Sequence, residues 1–85
     1  METYANNNGN SSVGRYQIGG TYIVVEFKAD KYSGPMYYRY TYELVGQNVI
    51  EEMKRLARHG SGLSSYINTK PPVPWTTKGT SLESV

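Results

Sequence analysis

Between Met36 and Val45 the chain reads Met-Tyr-Tyr-Arg-Tyr-Thr-Tyr-Glu-Leu-Val. Counting by twos puts Met36, Tyr38, Tyr40, Tyr42 and Leu44 on one side of a strand and Tyr37, Arg39, Thr41, Glu43 and Val45 on the other. The first set is an apolar face suited to a core. The second, with its charges and one tyrosine, is suited to water. After Gly46 the period changes to that of a helix, so a strand and a helix meet here.

The residues before this stretch carry the same alternation. Ser12–Ile18 sets Tyr16 and Ile18 against Arg15 and Gln17, and Gly19-Gly20 offers the two-residue turn of a tight hairpin. In Thr21–Lys28, Ile23, Val25 and Phe27 alternate with Tyr22, Val24, Glu26 and Lys28, a half-buried strand. Ala29–Pro35 reads as a loop closed by Gly34-Pro35.

Beyond the third strand, Val49, Ile50, Met53, Leu56 and Ala57 form one helical stripe. The expected helix covers about 48–59. Asn48 is its N-cap, Glu51 and Glu52 lie in its first turn, Arg55, Arg58 and His59 lie near its end, and Gly60 is its stop. Leu63, Tyr66 and Ile67 predict a second helix of one to two turns. Pro71, Pro72 and Pro74 then impose an extended path, and Trp75, the one tryptophan, is expected to pin the tail to an apolar patch.

The expected architecture is an α+β domain: a three-stranded antiparallel β-meander packed by one helix, then a short second helix and an extended Pro-rich C-terminal arm. Residues 1–12 are Asn-rich and read as a flexible arm, 13–68 as the domain, and 69–85 as the tail. At 85 residues the core must be thin, since a domain of this size buries only roughly 60% of its unfolded surface. Nine tyrosines must therefore supply much of the buried area, and oligomerisation would support such a core.

Composition excludes several chemistries. With no cysteine there is no disulfide framework, thiolate nucleophile or thiolate metal site. One histidine is too few for an ordinary metal site, and no cofactor is expected. A net charge of +2 is weak for a protein that holds nucleic acid by neutralising phosphates. No apolar run approaches a membrane span, and the first residues lack the pattern of a signal peptide, so a cytoplasmic location is expected, without membrane association.

Three groups of residues are candidates for binding. The turn Arg58-His59-Gly60-Ser61-Gly62, with Ser64, could converge backbone amides and Arg58 on a phosphate or carboxylate, although Gly60 and Ser61 are equally the ordinary caps of two helices. Tyr22, Tyr37 and Arg39 on the outer sheet face could stack a base or nucleotide, although Glu26 and Glu43 would make the same face an ordinary solvated surface. Pro72, Pro74 and Trp75 form an arm able to dock on another subunit or partner. His59 with Ser61, Ser64 and Ser65 lacks a neighbouring carboxylate and the strand-turn-helix elbow of a hydrolase, so no catalytic residue is expected.

From Tyr40 to Asn68 the chain resembles the KTSC-type domains, small modules common in bacterial and phage genomes. The resemblance rests on Tyr40-Thr41-Tyr42-Glu43-Leu44-Val45, the helix after it, Gly60-Ser61-Gly62, and Tyr66-Ile67-Asn68. With the preceding strand it covers about Thr21–Asn68. Gly46 stands where those domains usually carry proline, and Thr69 where a basic residue is common. The resemblance implies a compact strand-strand-helix unit and little about activity.

The leading expectation is a non-enzymatic module capturing a phosphate-bearing ligand such as a nucleotide. The competing one is a protein-interaction component, such as a phage inhibitor or a minor assembly protein, whose terminal arms wrap a partner.

Overall fold

A computed structural model describes residues 1–7, 9, 11–29, 34–69 and 71–85. In it the three expected strands are β2 (Val13–Ile18), β3 (Tyr22–Phe27) and β4 (Met36–Thr41), and two further strands flank them: β1 (Glu2–Thr3) and β5 (Thr77–Gly79). The result is a five-stranded antiparallel sheet in the order β1-β2-β3-β4-β5. The three-stranded meander is therefore corrected to five strands. Both chain ends, expected as a flexible arm and an extended tail, each donate a short edge strand. The physical reason is that edge pairing asks only for backbone N–H and C=O groups. Residues 2–3 and 77–79 supply those without any apolar alternation to announce them. The loop expected over Ala29–Pro35 lies largely outside the described residues.

β3 is the central strand. Its register places Ile23 against Tyr40 and Val25 against Tyr38 on the inner face, and Val24 against Arg39 and Glu26 against Tyr37 on the outer face. A bulge at Gly14 interrupts β2 between Val13 and Arg15, and it keeps both Val13 and Tyr16 on the inner side, buried. The β2–β3 hairpin turns one residue later than expected. Gly19 N–H donates to the Tyr22 carbonyl, leaving Gly20 and Thr21 at the tip. The Tyr22 ring lies so close over Gly19 that a Cβ there would sit 2.1 Å from it.

The strand alternation of 36–45 stops at Thr41. Tyr42–Val45 forms a single helical turn (α1), and Gly46, at φ 90°, redirects the chain into α2 (Gln47–His59). Leu44, expected on the core face, consequently points outward and is 50% exposed. Gly46 also holds the N-cap position expected for Asn48, and no side chain caps the helix. α2 buries Ile50, Met53 and Ala57 against the sheet, as its stripe predicts. Gly60 ends it in the left-handed conformation, its N–H on the Leu56 carbonyl. α3 (Leu63–Ile67) follows and buries Leu63 and Ile67.

One core results, built from Ile23, Val25, Ile50, Met53 and Leu63 together with Tyr4, Tyr16 and Tyr40. The buried Tyr4 belongs to the segment expected to be an arm. Among the described residues no helix is long and apolar enough to cross a membrane.

Candidate functional site

The turn after α2 comes together with the N-terminal segment. The Asn7 backbone N–H donates to the Gly60 carbonyl at 2.7 Å, and the Asn7 side-chain amide donates to the His59 carbonyl at 2.9 Å. The Leu63 N–H donates to the Tyr4 hydroxyl at 3.3 Å, and the Ser12 and Ser64 hydroxyls are 3.2 Å apart. A polar cavity of about 220 Å³ remains, walled by Tyr4, Asn6, Ser11, Ser61, Gly62, Ser64 and Ser65. Of the expected turn residues it gathers Ser61, Gly62 and Ser64. Arg58 and His59 are exposed and stand outside its wall, which carries no cationic side chain among the described residues. The backbone groups expected to face a ligand are thus engaged in part by the chain itself.

The outer sheet face divides into two. Arg15 donates through Nε to Glu26 Oε1 at 2.9 Å and through Nη2 to Glu26 Oε2 at 2.5 Å, a fork-to-fork pair across β2 and β3. The Tyr37 hydroxyl donates to Glu26 Oε2 at 2.6 Å and accepts from Arg15 Nη2 at 3.2 Å. The hydrogen bond from Arg15 holds the Glu26 carboxyl below its ordinary range, against the opposing effect of burial. The bond to Glu26 raises the Tyr37 phenol, and the same carboxylate raises Arg15. Tyr37 is only 8% exposed, which corrects its expected place on a wet face. Its ring is one member of a closed polar cluster and offers no stacking platform.

Tyr22 and Arg39 lie together elsewhere on that face. With Gln17 and Val24 they form a cavity of about 200 Å³, flanked by Leu82 and Val85 from the C-terminal segment. Arg39 Nε is buried without an acceptor among the described residues. An unpaired buried donor costs about 1–3 kcal/mol, so this group stands out from the satisfied cluster beside it.

The third place is centred on Trp75. Its ring meets Tyr38 edge-on, centroids 5.1 Å apart; Phe27 meets the same Tyr38 at 5.2 Å; and Tyr38 stacks on Tyr40 at 6.4 Å. These rings, with Ile67, Pro72 and Val73, wall an apolar groove of about 350 Å³ whose polar end is Ser12 and Asn68. Lys78 Nζ stands 4.9 Å from the Trp75 ring centroid. Backbone bonds fix the proline segment on both sides, from Val73 N–H to the Ile67 carbonyl and from Thr76 N–H to the Arg39 carbonyl. Across that segment a second apolar cleft of about 280 Å³ lies between Pro71–Pro74 and Leu44, Val45 and Val49. Pro72 and Val73 belong to both clefts, and Pro74 to the second.

Trp75 lies against an apolar patch, and that patch is a groove wall formed by Phe27, Tyr38 and Tyr40. Phe27 and Tyr38 have the period of core residues, and nothing in the alternation marks them as half-buried walls of a groove. Their position in the register is the one available signal, two and four residues beyond the Ile23–Tyr40 pair that is fully buried.

Tyr42 donates its hydroxyl to Glu51, which also pairs with Lys54 Nζ at 2.8 Å, and Lys54 donates to the Gly20 carbonyl at 3.1 Å. This set ties α2 to the hairpin. The hydrogen bond at His59 goes to its carbonyl, and no group of metal-ligating side chains occurs among the described residues.

The KTSC-type resemblance rests on the residue pattern alone. No protein-family model, curated protein or solved structure matches the chain.

Proposed function

We propose that this chain is a small non-enzymatic binding module of the cytoplasm whose main contact surface is the Trp75 groove, and that its partner is a protein. The observation that carries this reading is Trp75 itself: 44% exposed, yet held edge-on against Tyr38 at the mouth of an aromatic groove by a backbone anchored on both sides. Aromatic rings with one wet edge and one apolar face are the residues that dominate protein interfaces. Leu44, the most exposed large apolar residue among those described, lies in the adjoining cleft and extends the same surface. The fitting occupant is an extended peptide segment that places an apolar side chain between Trp75 and Tyr38 and an acidic one toward Lys78.

This reading is favoured over capture of a phosphate at the Gly60–Gly62 turn. There the cavity wall lacks a cation among the described residues, and part of the expected donor set already bonds within the chain. The test is native purification of the full chain from its producing cell, with the bound material read by mass spectrometry for proteins and small molecules together. Trp75→Ala is expected to lose a stoichiometric protein that Arg58→Ala keeps. Loss of a nucleotide in Arg58→Ala, with Trp75→Ala unchanged, would return the function to the turn.

A further inference from the structure

Four large apolar side chains of the described residues are exposed: Met1, Leu44, Trp75 and Leu82. Two of them flank the same proline segment. Leu44 stands in the cleft against Pro71–Pro74, and Trp75 in the groove that shares Pro72 and Val73 with that cleft. Each of the two has a charged neighbour, and the signs are opposite. Glu43, next to Leu44 on the single turn α1, is exposed; Lys78 is exposed with its Nζ 4.9 Å from the Trp75 ring centroid.

These two charges differ from most of their kind in this fold. Glu26, Glu51 and Glu52 are met by Arg15, Lys54 and Arg55, whereas neither Glu43 nor Lys78 forms an ion pair among the described residues. One end of the surface is therefore acidic and aliphatic, the other cationic and aromatic, with prolines between them. A two-fold axis across the prolines exchanges the ends. It sets Leu44 of each copy on Trp75 of the other, and Glu43 of each against Lys78. A surface that carries both halves of its own contact meets the requirement of an isologous interface. The charge match fixes the register of such a pair and selects against other partners.

We infer that the protein seated on the Trp75 surface is a second copy of this chain, in a two-fold dimer where each copy completes the other's groove with Leu44. The inference rests on the Trp75 surface as the contact site and names its occupant. The apolar and acidic side chains asked of a partner stand side by side on this chain itself, as Leu44 and Glu43, displayed by an exposed turn. Covering Trp75 and Leu44 in this way also adds buried apolar area to the thin core of an 85-residue chain.

The test is sedimentation equilibrium of the purified full chain over a range of concentrations, with substitutions at exposed positions. The expected result is a reversible dimer that Trp75→Ala and Leu44→Glu lose. Glu43→Lys and Lys78→Glu each set like charges together twice per dimer, and each is expected to weaken association by at least about tenfold. Mixing these two variants in equal amounts is expected to restore it, because both contacts of the mixed dimer again join a lysine to a glutamate. A dimer unchanged by all four substitutions, or a mixture as weak as its components, would overturn the inference. A chain that stays monomeric overturns it as well, and native preparations then separate the two readings. A foreign protein still lost in Trp75→Ala keeps the Trp75 surface; no such loss removes that surface too.

Discussion

The Leu63 backbone N–H donates to the Tyr4 hydroxyl at 3.3 Å, joining two residues 59 positions apart. Tyr4 is 3% exposed, so the N-terminal segment is built into the core and does not trail from it. Tyr4→Ala removes a buried ring and should destabilise by about 3–5 kcal/mol, the range for large aromatic truncations. Tyr4→Phe removes one hydrogen bond and leaves the Leu63 N–H unpaired, at a cost of about 1–3 kcal/mol. Urea unfolding of the two variants checks the order. Equal, negligible losses would mean the segment is not packed.

Gly60 is constrained twice. Its φ of 82° disfavours any side chain, and a Cβ would come 2.5 Å from the Ala5 Cβ. Gly60→Ala should therefore cost more than about 1 kcal/mol. Adding Ala5→Gly should recover the part due to the contact and leave the part due to φ, a non-additivity that a double-mutant cycle of denaturation midpoints measures.

The lowered Glu26 carboxyl of the Arg15–Glu26–Tyr37 cluster sets the direction in which stability changes on the acid side. A carboxyl held below its ordinary value in the folded chain contributes stability above the unfolded value, 4.5 for glutamate, and loses that contribution as pH falls through the folded value. Glu51 and Glu52 are lowered as well, by Lys54 and Arg55 respectively, and act with the same sign. Thermal midpoints should fall below about pH 4.5, and Glu26→Gln should flatten part of that fall while lowering the plateau near neutrality. An acid limb unchanged in Glu26→Gln would place the dependence in the other carboxylates.

The C-terminal segment both completes the sheet and walls two clefts. Removing residues 69–85 deletes β5 and exposes the edge of β4 together with Tyr38. It should cost stability as well as binding, so point changes separate the two effects where truncation does not. Trp75→Ala, at a position 44% exposed, should lower the thermal midpoint by only a few degrees, since roughly 4–8 °C accompanies each 1 kcal/mol in a domain of this size. A collapse of the fold in Trp75→Ala would make the ring a core residue and remove the basis for a docking role.

Much of the interior was legible in the sequence because it obeys a period. Ile23, Val25 and Tyr40 follow the twofold repeat of strands, and Ile50, Met53 and Ala57 the stripe of a helix, and each is buried where the pattern puts it. Three features escaped for definable reasons. The edge strands at Glu2–Thr3 and Thr77–Gly79 are too short to show a period and are made by backbone pairing. Leu44 continues the alternation of β4 in sequence, but the chain leaves the strand at Thr41. Tyr37 shares a face with charges, and only the cross-strand register shows that Glu26 and Arg15 close over it. The candidate residues were legible singly and not as groups: Tyr22 and Arg39 share a cavity, Tyr37 belongs to another cluster, and Arg58 stands apart from the serines and glycines of its own turn.

The most direct test of the Trp75 surface is site-specific photo-crosslinking in the producing cell, with a photoreactive phenylalanine analogue placed at position 75 in one variant and at position 58 in another. The account predicts a single discrete protein adduct from position 75, suppressed when Leu44→Glu is added to the same chain, and none from position 58. An adduct from position 58 with none from position 75 would contradict it.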